Sequence, residues 1–208
     1  MHRFINVVIT ITAIVMLLAA CGKSERSDEK ASGSVSSALI ETIMTRTSVR
    51  AYTDQAVEDG AVETLLKAAM SAPSAADKRP WRFVVVRDRE ILQAISANLR
   101  TMPMAEKAPL AIIVCGDMES TLPGDGVDYW VEDASAATEN LLLAAHAMGL
   151  GAVWCGVYPM QERVSFLSGL LGLPETVIPL NVVPIGYPAE EPLVKDKWTP
   201  ENIHYDRW

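Results

Sequence analysis

From Leu110 to Cys115 the chain reads Leu-Ala-Ile-Ile-Val-Cys, with no polar side chain in the run. Short, apolar at every position and β-branched at Ile112, Ile113 and Val114, it reads as a strand. Strand side chains alternate between two faces, so this one needs cover on both. A layered structure with a sheet inside it follows, and the flanking sequence supplies the layers. Asp59 to Met70 carries Val62, Leu65, Leu66 and Ala69 at helical spacing, and Pro73 ends it. Asp88 caps a helix bearing Ile91, Leu92, Ile95 and Leu99. A long helix runs from about Tyr129 to Met148 with Gly149 as its stop, and another covers Gln161 to Leu171. Ser36 or Ser37 caps a first helix with Leu39, Ile40, Ile43 and Met44 on one face. Further strands are expected at Trp81–Val86, Ala152–Val157 and Val177–Ile185, the last with an awkward Pro179. Residues 119–127 form a loop rich in Gly and Pro. Periodicity by itself suggests alternating α/β elements on a parallel sheet.

The start of the chain has a different character. His2 and Arg3 precede an apolar run from Val7 to Leu18, and Leu18-Ala19-Ala20-Cys21 closes it. That run is too short to span a bilayer comfortably and suits a signal peptide over residues 1–20. Leu-Ala-Ala-Cys resembles the lipobox of bacterial lipoproteins, in which the cysteine is lipidated and becomes the new N-terminus. The resemblance implies lipidation at Cys21 and a lipid-anchored place in the cell envelope. By resemblance to Gram-negative sorting rules, Gly22 after it points to the outer membrane, if the source is Gram-negative. Residues 22–36 are polar, charged and small, unable to fold alone. With Cys21 they make a tether (21–36) spanning roughly 20 Å as a random coil. The globular part is 37–208, long enough for one domain with a real core.

A net charge of −8 disfavours general attraction to nucleic acid, so an anionic ligand must meet a local group of cations. Cys115 and Cys155 each end an apolar run and read as buried free thiols, with a disulfide as the alternative. No metal-ligand spacing is present, and the three His are scattered.

Four stretches carry chemistry. Arg46-Thr47-Ser48-Val49-Arg50 places two guanidinium groups at i and i+4, where they can face one way. Such forks bind phosphate with two hydrogen bonds each, although a solvated pair would look the same. Ser71-Ala72-Pro73-Ser74-Ala75-Ala76-Asp77-Lys78-Arg79-Pro80-Trp81 makes an open, stiff backbone against which a flat ring could lie, or simply a connection anchored by Trp81. Gly149-Leu150-Gly151 leads into Ala152–Val157, where missing side chains let backbone amides come close to a ligand, or cap a helix. Pro184-Ile185-Gly186-Tyr187-Pro188 is followed by Lys195-Asp196-Lys197-Trp198, two cations on a polar tail.

Together, in this order, the four stretches resemble the nitroreductase family over roughly residues 38–208. The resemblance implies an α+β fold with a mainly antiparallel central sheet flanked by helices, in a domain-entwined homodimer with FMN at the subunit interface. That displaces the parallel sheet suggested by periodicity. It implies that Arg46, Lys195 and Lys197 hold the FMN phosphate, that Ser48 bonds near the flavin, and that Arg50 sits by flavin N1 and O2. A cation there favours the reduced, negatively charged ring. Pro73 and Ser74 would line the flavin edge from the other subunit, with Asp77 beside them. Backbone amides around Gly156 and Val157 would reach flavin N5 and O4. The family usually has Arg where Lys197 stands, Asn where Asp77 stands and often Gln where Arg79 stands, which puts fine flavin contacts in question. Asp77 and Arg79 can compensate one another.

The implied function is transfer of electrons from a reduced donor, NAD(P)H in the family, to a nitroaromatic, quinone or similar small acceptor. Chemistry takes place at flavin N5, with no catalytic side chain and no metal. Outside the cytoplasm the donor is an open point, because nucleotide is expected to be scarce there. Two other readings stand beside this one: different chemistry on the same fold, such as reductive dehalogenation or flavin fragmentation, and a non-catalytic flavin-binding lipoprotein.

Overall fold

The computed structural model describes residues 37–208. The signal peptide, Cys21 and the tether lie outside the described residues. The chain divides into two units with the boundary between Met44 and Thr45. Of the first unit, residues 37–44 are described. They belong to helix α1 (37–45), in which the Thr42 hydroxyl donates to the Ala38 carbonyl, 2.9 Å away. Leu39, Ile40, Ile43 and Met44 are exposed on it.

The second unit is built on one antiparallel sheet. After α2 (Asp59–Met70) come β1 (Trp81–Val86), α3 (Arg89–Asn98) and β2 (Leu110–Asp117). Then follow α4 (Tyr129–Ala147), β3 (Gly151–Ala152), β4 (Cys155–Gly156), α5 (Gln161–Leu171) and β5 (Val177–Gly186). The strand order is β1-β2-β5-β3, with β4 also on β5, and every pairing is antiparallel. Periodicity reports which residues are buried but not strand direction, which is why it suggested a parallel sheet. β2 lies between β1 and β5 and is buried along its whole length, as its unbroken apolar run requires. One face packs Ile113 and Cys115 with Leu92 and Ile95 of α3 and Leu167 of α5. The other packs Leu110 and Ile112 with Leu65 of α2 and Leu141 of α4. Each such side chain removed from water contributes about 1.5–3 kcal/mol.

Local signals place the helix ends. Asp88 Oδ1 accepts from the amides of Glu90 at 2.8 Å and Ile91 at 3.3 Å, capping α3. Gly149 after α4 has φ 72°, a left-handed conformation that glycine adopts without strain. Residues 119–127 are not wholly irregular: 3₁₀ turns cover Met118–Ser120 and Gly124–Asp128.

Two prolines shape β5. The expected strand Ala152–Val157 is in fact two short ones, β3 and β4, separated by Val153 and Trp154. Both pair with β5 in the same register, so the lapse falls opposite Pro184 and Val183. Pro184 has no amide to give the ladder. Pro179 marks a second irregularity. The β2–β5 register shifts between Val114, opposite Asn181, and Cys115, opposite Pro179, leaving Leu180 as a bulge. The Leu180 carbonyl then accepts from the amides of both Val157 (3.0 Å) and Tyr158 (3.1 Å), which pins the turn after β4.

Candidate functional site

The Arg46–Arg50 stretch lies outside any helix or strand. Val49 is buried in the core, while Ser48 and Arg50 are exposed. Its amide donates to the Ala152 carbonyl at 3.0 Å, stitching this segment beside β3. Close approach is possible because residue 151 is glycine: a Cβ there would lie 2.5 Å from Val49 Cγ1. Gly151 thus makes room for Val49.

The next residues stitch to the start of the tail. Thr53 N–H donates to Tyr187 O at 2.9 Å, Ala189 N–H donates to Ala51 O at 3.0 Å, and Tyr52 forms a bridge with Pro188. Both ends of the folded region meet here. Ser48, Val49, Arg50 and Ala51 line a cleft of about 340 Å³ with Glu190, Glu191, Pro192 and Leu193. Lys195 and Lys197 lie farther along the tail, both exposed, and do not line that cleft.

Arg46 lies against the long helix. Its Nε is 3.1 Å from Oε1 of Glu139 on α4, with the Arg46 side chain 18% and the Glu139 side chain 49% exposed. Two turns along the same helix, His146 Nε2 is 2.9 Å from the Thr45 hydroxyl.

Arg50 is also within electrostatic reach of β4. Burial pushes the Cys155 thiol up to about 11, and the charges of Arg50 and Arg163 pull against that rise. Burial pushes Cys115 up to about 12. Both thiols are free and buried, so both are protonated fillers rather than nucleophiles at neutral pH. Gly156, half-buried, has no heavy atom within 4 Å of where a Cβ would stand, so the backbone is open to a ligand there. The peptide linking it to Val157 is held at both ends. Arg163 donates to the Gly156 carbonyl at 2.8 Å, and the Val157 amide is committed to Leu180.

Pro73 and Ser74 line a separate cavity of about 370 Å³ with Ala75, Tyr129, Glu132, Asp133 and Ala136. The loop is tightly determined. Asp133 accepts from the Ala75 amide at 2.8 Å, and the Ser74 hydroxyl oxygen accepts from the Arg79 amide at 2.9 Å. Ala76, Asp77 and Arg79 all have positive φ. Arg79 grips Asp77 with two hydrogen bonds of 2.6 Å, and this contact holds the Asp77 carboxyl below its usual range. Asp77 and Arg79 therefore compensate one another as charged partners.

Glu139 and Arg163 give no sequence signal, because each meets its partner only through tertiary packing. Among the described residues, no group of His, Cys, Asp and Glu is arranged to hold a metal.

The nitroreductase family model matches residues 43–102 and 95–187. A Methanothermobacter thermautotrophicus protein, provisionally named NADH dehydrogenase/NAD(P)H nitroreductase, is 47% identical over 171 residues, 82% of this chain and 87% of its own. A solved structure from Bacteroides thetaiotaomicron under the same provisional name is 44% identical, with a TM-score of 0.78 over 82% of this chain and 98% of that one. A provisionally named nitroreductase from Desulfovibrio desulfuricans, solved in complex with FMN, is 31% identical, with a TM-score of 0.69 over 82% and 97%. This chain belongs to the nitroreductase family.

Proposed function

We propose that the protein is an FMN-dependent oxidoreductase that takes electrons from NAD(P)H and passes them to a small oxidised acceptor such as a nitroaromatic or quinone. The observation that carries this reading is the Arg46–Arg50 segment, which Val49 seats against the sheet. Val49 ties it to Ala152, and Ser48 and Arg50 line a cleft beside the start of the tail. The FMN-bound relative and the nicotinamide chemistry in the relatives' names support the cofactor and the donor.

The residues present fit FMN. Arg46 offers a fork for the phosphate, Ser48 a hydroxyl for the flavin, and Arg50 a cation for its pyrimidine edge. The backbone at Gly156 has no side chain to obstruct a flat ring. FMN held here would supply two-electron transfer chemistry between the reduced donor and the acceptor. The chain itself binds, orients and tunes. Arg50 stabilises negative charge on the reduced ring, and Arg163 with Leu180 fixes the Gly156–Val157 peptide so that nothing there must rearrange during turnover. The buried thiols take no part.

In this reading the working form is a homodimer, in which Pro73 and Ser74 of one protomer cover the flavin of its partner. Lys195 and Lys197 add to the phosphate site from the tail. Cys21 carries lipid and fastens the protein to the cell envelope, with residues 22–36 as a leash. Among the described residues no helix is long and apolar enough to cross a membrane.

The test is direct. The purified full chain should be yellow, with flavin absorbance that bleaches anaerobically with NADH or NADPH and returns on adding a nitroaromatic. A colourless protein that does not take up FMN would overturn the proposal. Bound flavin that no nicotinamide reduces would remove the donor assignment. For the anchor, Cys21→Ser should move the protein from the membrane fraction to the soluble fraction.

A further inference from the structure

Arg46, the cation assigned to the phosphate, already has an anion beside it. Glu139 lies one ion-pair distance away, on a helix that also reaches the neighbouring Thr45 through His146. Glu139 is half-exposed, while Arg46 is largely covered. A phosphate arriving at Arg46 would find that guanidinium partly neutralised and a second negative charge close by. The Coulomb term opposes binding whether Arg46 stays with Glu139 or turns away from it, so its sign does not depend on the exact pose.

We propose that Glu139 is the resident counter-ion of the phosphate site. It holds Arg46 in place when no phosphate is bound, and it weakens the protein's grip on the phosphate of FMN. This rests on the reading of Arg46 as a phosphate ligand. It assigns to Glu139 a role in setting cofactor affinity, and in setting how far the site prefers flavin with a phosphate to flavin without one. Glu139 acts through Arg46 and is a positioning residue, not a catalytic one.

The experiment measures binding of FMN and of riboflavin to the apoprotein by fluorescence quenching, for wild type, Glu139→Gln and Glu139→Lys. Riboflavin has the ring and ribityl chain but no phosphate, so it reports anything that merely disturbs the fold. Gln keeps an acceptor for Arg46 and removes the charge; Lys reverses the charge. FMN should bind more tightly in the order Glu, Gln, Lys, by roughly three- to tenfold per step at low salt, and the differences should shrink at about 0.5 M salt. Riboflavin affinity should stay level across the series. In an Arg46→Ala background the benefit of Glu139→Gln should fall, because part of it comes from freeing Arg46. An FMN affinity that falls or stays flat along the series, with wild type binding FMN, would overturn this role and leave the functional reading standing. The same applies if FMN and riboflavin change together. Wild type that binds neither flavin would bring down both. Thermal melts of each variant identify any that fails to fold, and either of the two suffices to read the direction.

Discussion

The hydroxyl of Tyr52 reaches the carbonyl of Pro184 at 3.1 Å, and that of Val49 at 2.7 Å, from a buried position. It ties the Arg46–Arg50 segment to β5 where the sheet ladder lapses. Tyr52→Phe keeps the ring and removes the tie. We expect a loss of about 1–2 kcal/mol in stability, read by denaturant titration. FMN affinity should drop as well, since Ser48 and Arg50 lose their anchor. Unchanged stability would mean that the tie contributes nothing.

The same substitution at two glycines should have opposite effects. Gly151→Ala places a methyl group 2.5 Å from Val49 Cγ1, so Val49 and its neighbours must shift. Overpacking of this kind costs about 1–3 kcal/mol. Gly169 lies inside α5 with nothing within 4 Å of a new Cβ. There Ala should stabilise by up to about 1 kcal/mol, through helix propensity. Melting temperatures of the two variants check this.

Alkaline pH should destabilise the fold before neutral or mildly acid pH does. Burial raises Cys115 to about 12 and Cys155 to about 11, against 9.0 for an ordinary thiol, and raises Tyr52 above the usual tyrosine value. Above pH 9 the unfolded chain releases protons that the folded chain retains, so the unfolded state gains. Stability from these groups is fully present below pH 9 and is lost as pH rises towards 11–12. Denaturation midpoints between pH 7 and 11 should show the decline, and Cys115→Ala should flatten it. Midpoints level across that range would contradict this.

Arg46→Ala should weaken FMN roughly ten- to a hundredfold, the worth of one or two charge-assisted hydrogen bonds, and leave riboflavin binding little changed. Equilibrium dialysis separates the two. A fully FMN-loaded variant would contradict the phosphate assignment.

A buried polar pair offers a different kind of test. Asn181 Nδ2 donates to Thr138 Oγ1 at 2.9 Å, and Thr138 donates to the Ala134 carbonyl at 2.7 Å, with both residues fully buried. Thr138→Val alone strands the Asn181 amide and should cost about 1–3 kcal/mol. Thr138→Val with Asn181→Leu removes both polar groups and should cost less than that single change. A double variant worse than the single would mean that the pair is held by more than its own hydrogen bond.

Much of the fold is legible in the sequence because its determinants are local. The limits of α2, β1 and α5, the Asp88 cap and the Gly149 stop all follow from spacing and end signals within a few residues. Strand direction was not legible from periodicity, which reports burial alone. The broken strand at 152–157 could be read only by setting it against Pro184, some thirty positions away, a pairing the sequence does not announce. At the site, the four motifs carry the family resemblance and so are where the chemistry is expected. The charges that modify them do not mark themselves. Glu139 is one of many solvated helix carboxylates until folding brings Arg46 beside it.

Backbone bonds between residues 51–53 and 187–189 join parts of the chain that are synthesised far apart in time. During translation residues 51–53 therefore emerge long before the partners they bond to. The junction beside the Ser48–Arg50 cleft is thus completed only when nearly the whole polypeptide has been made.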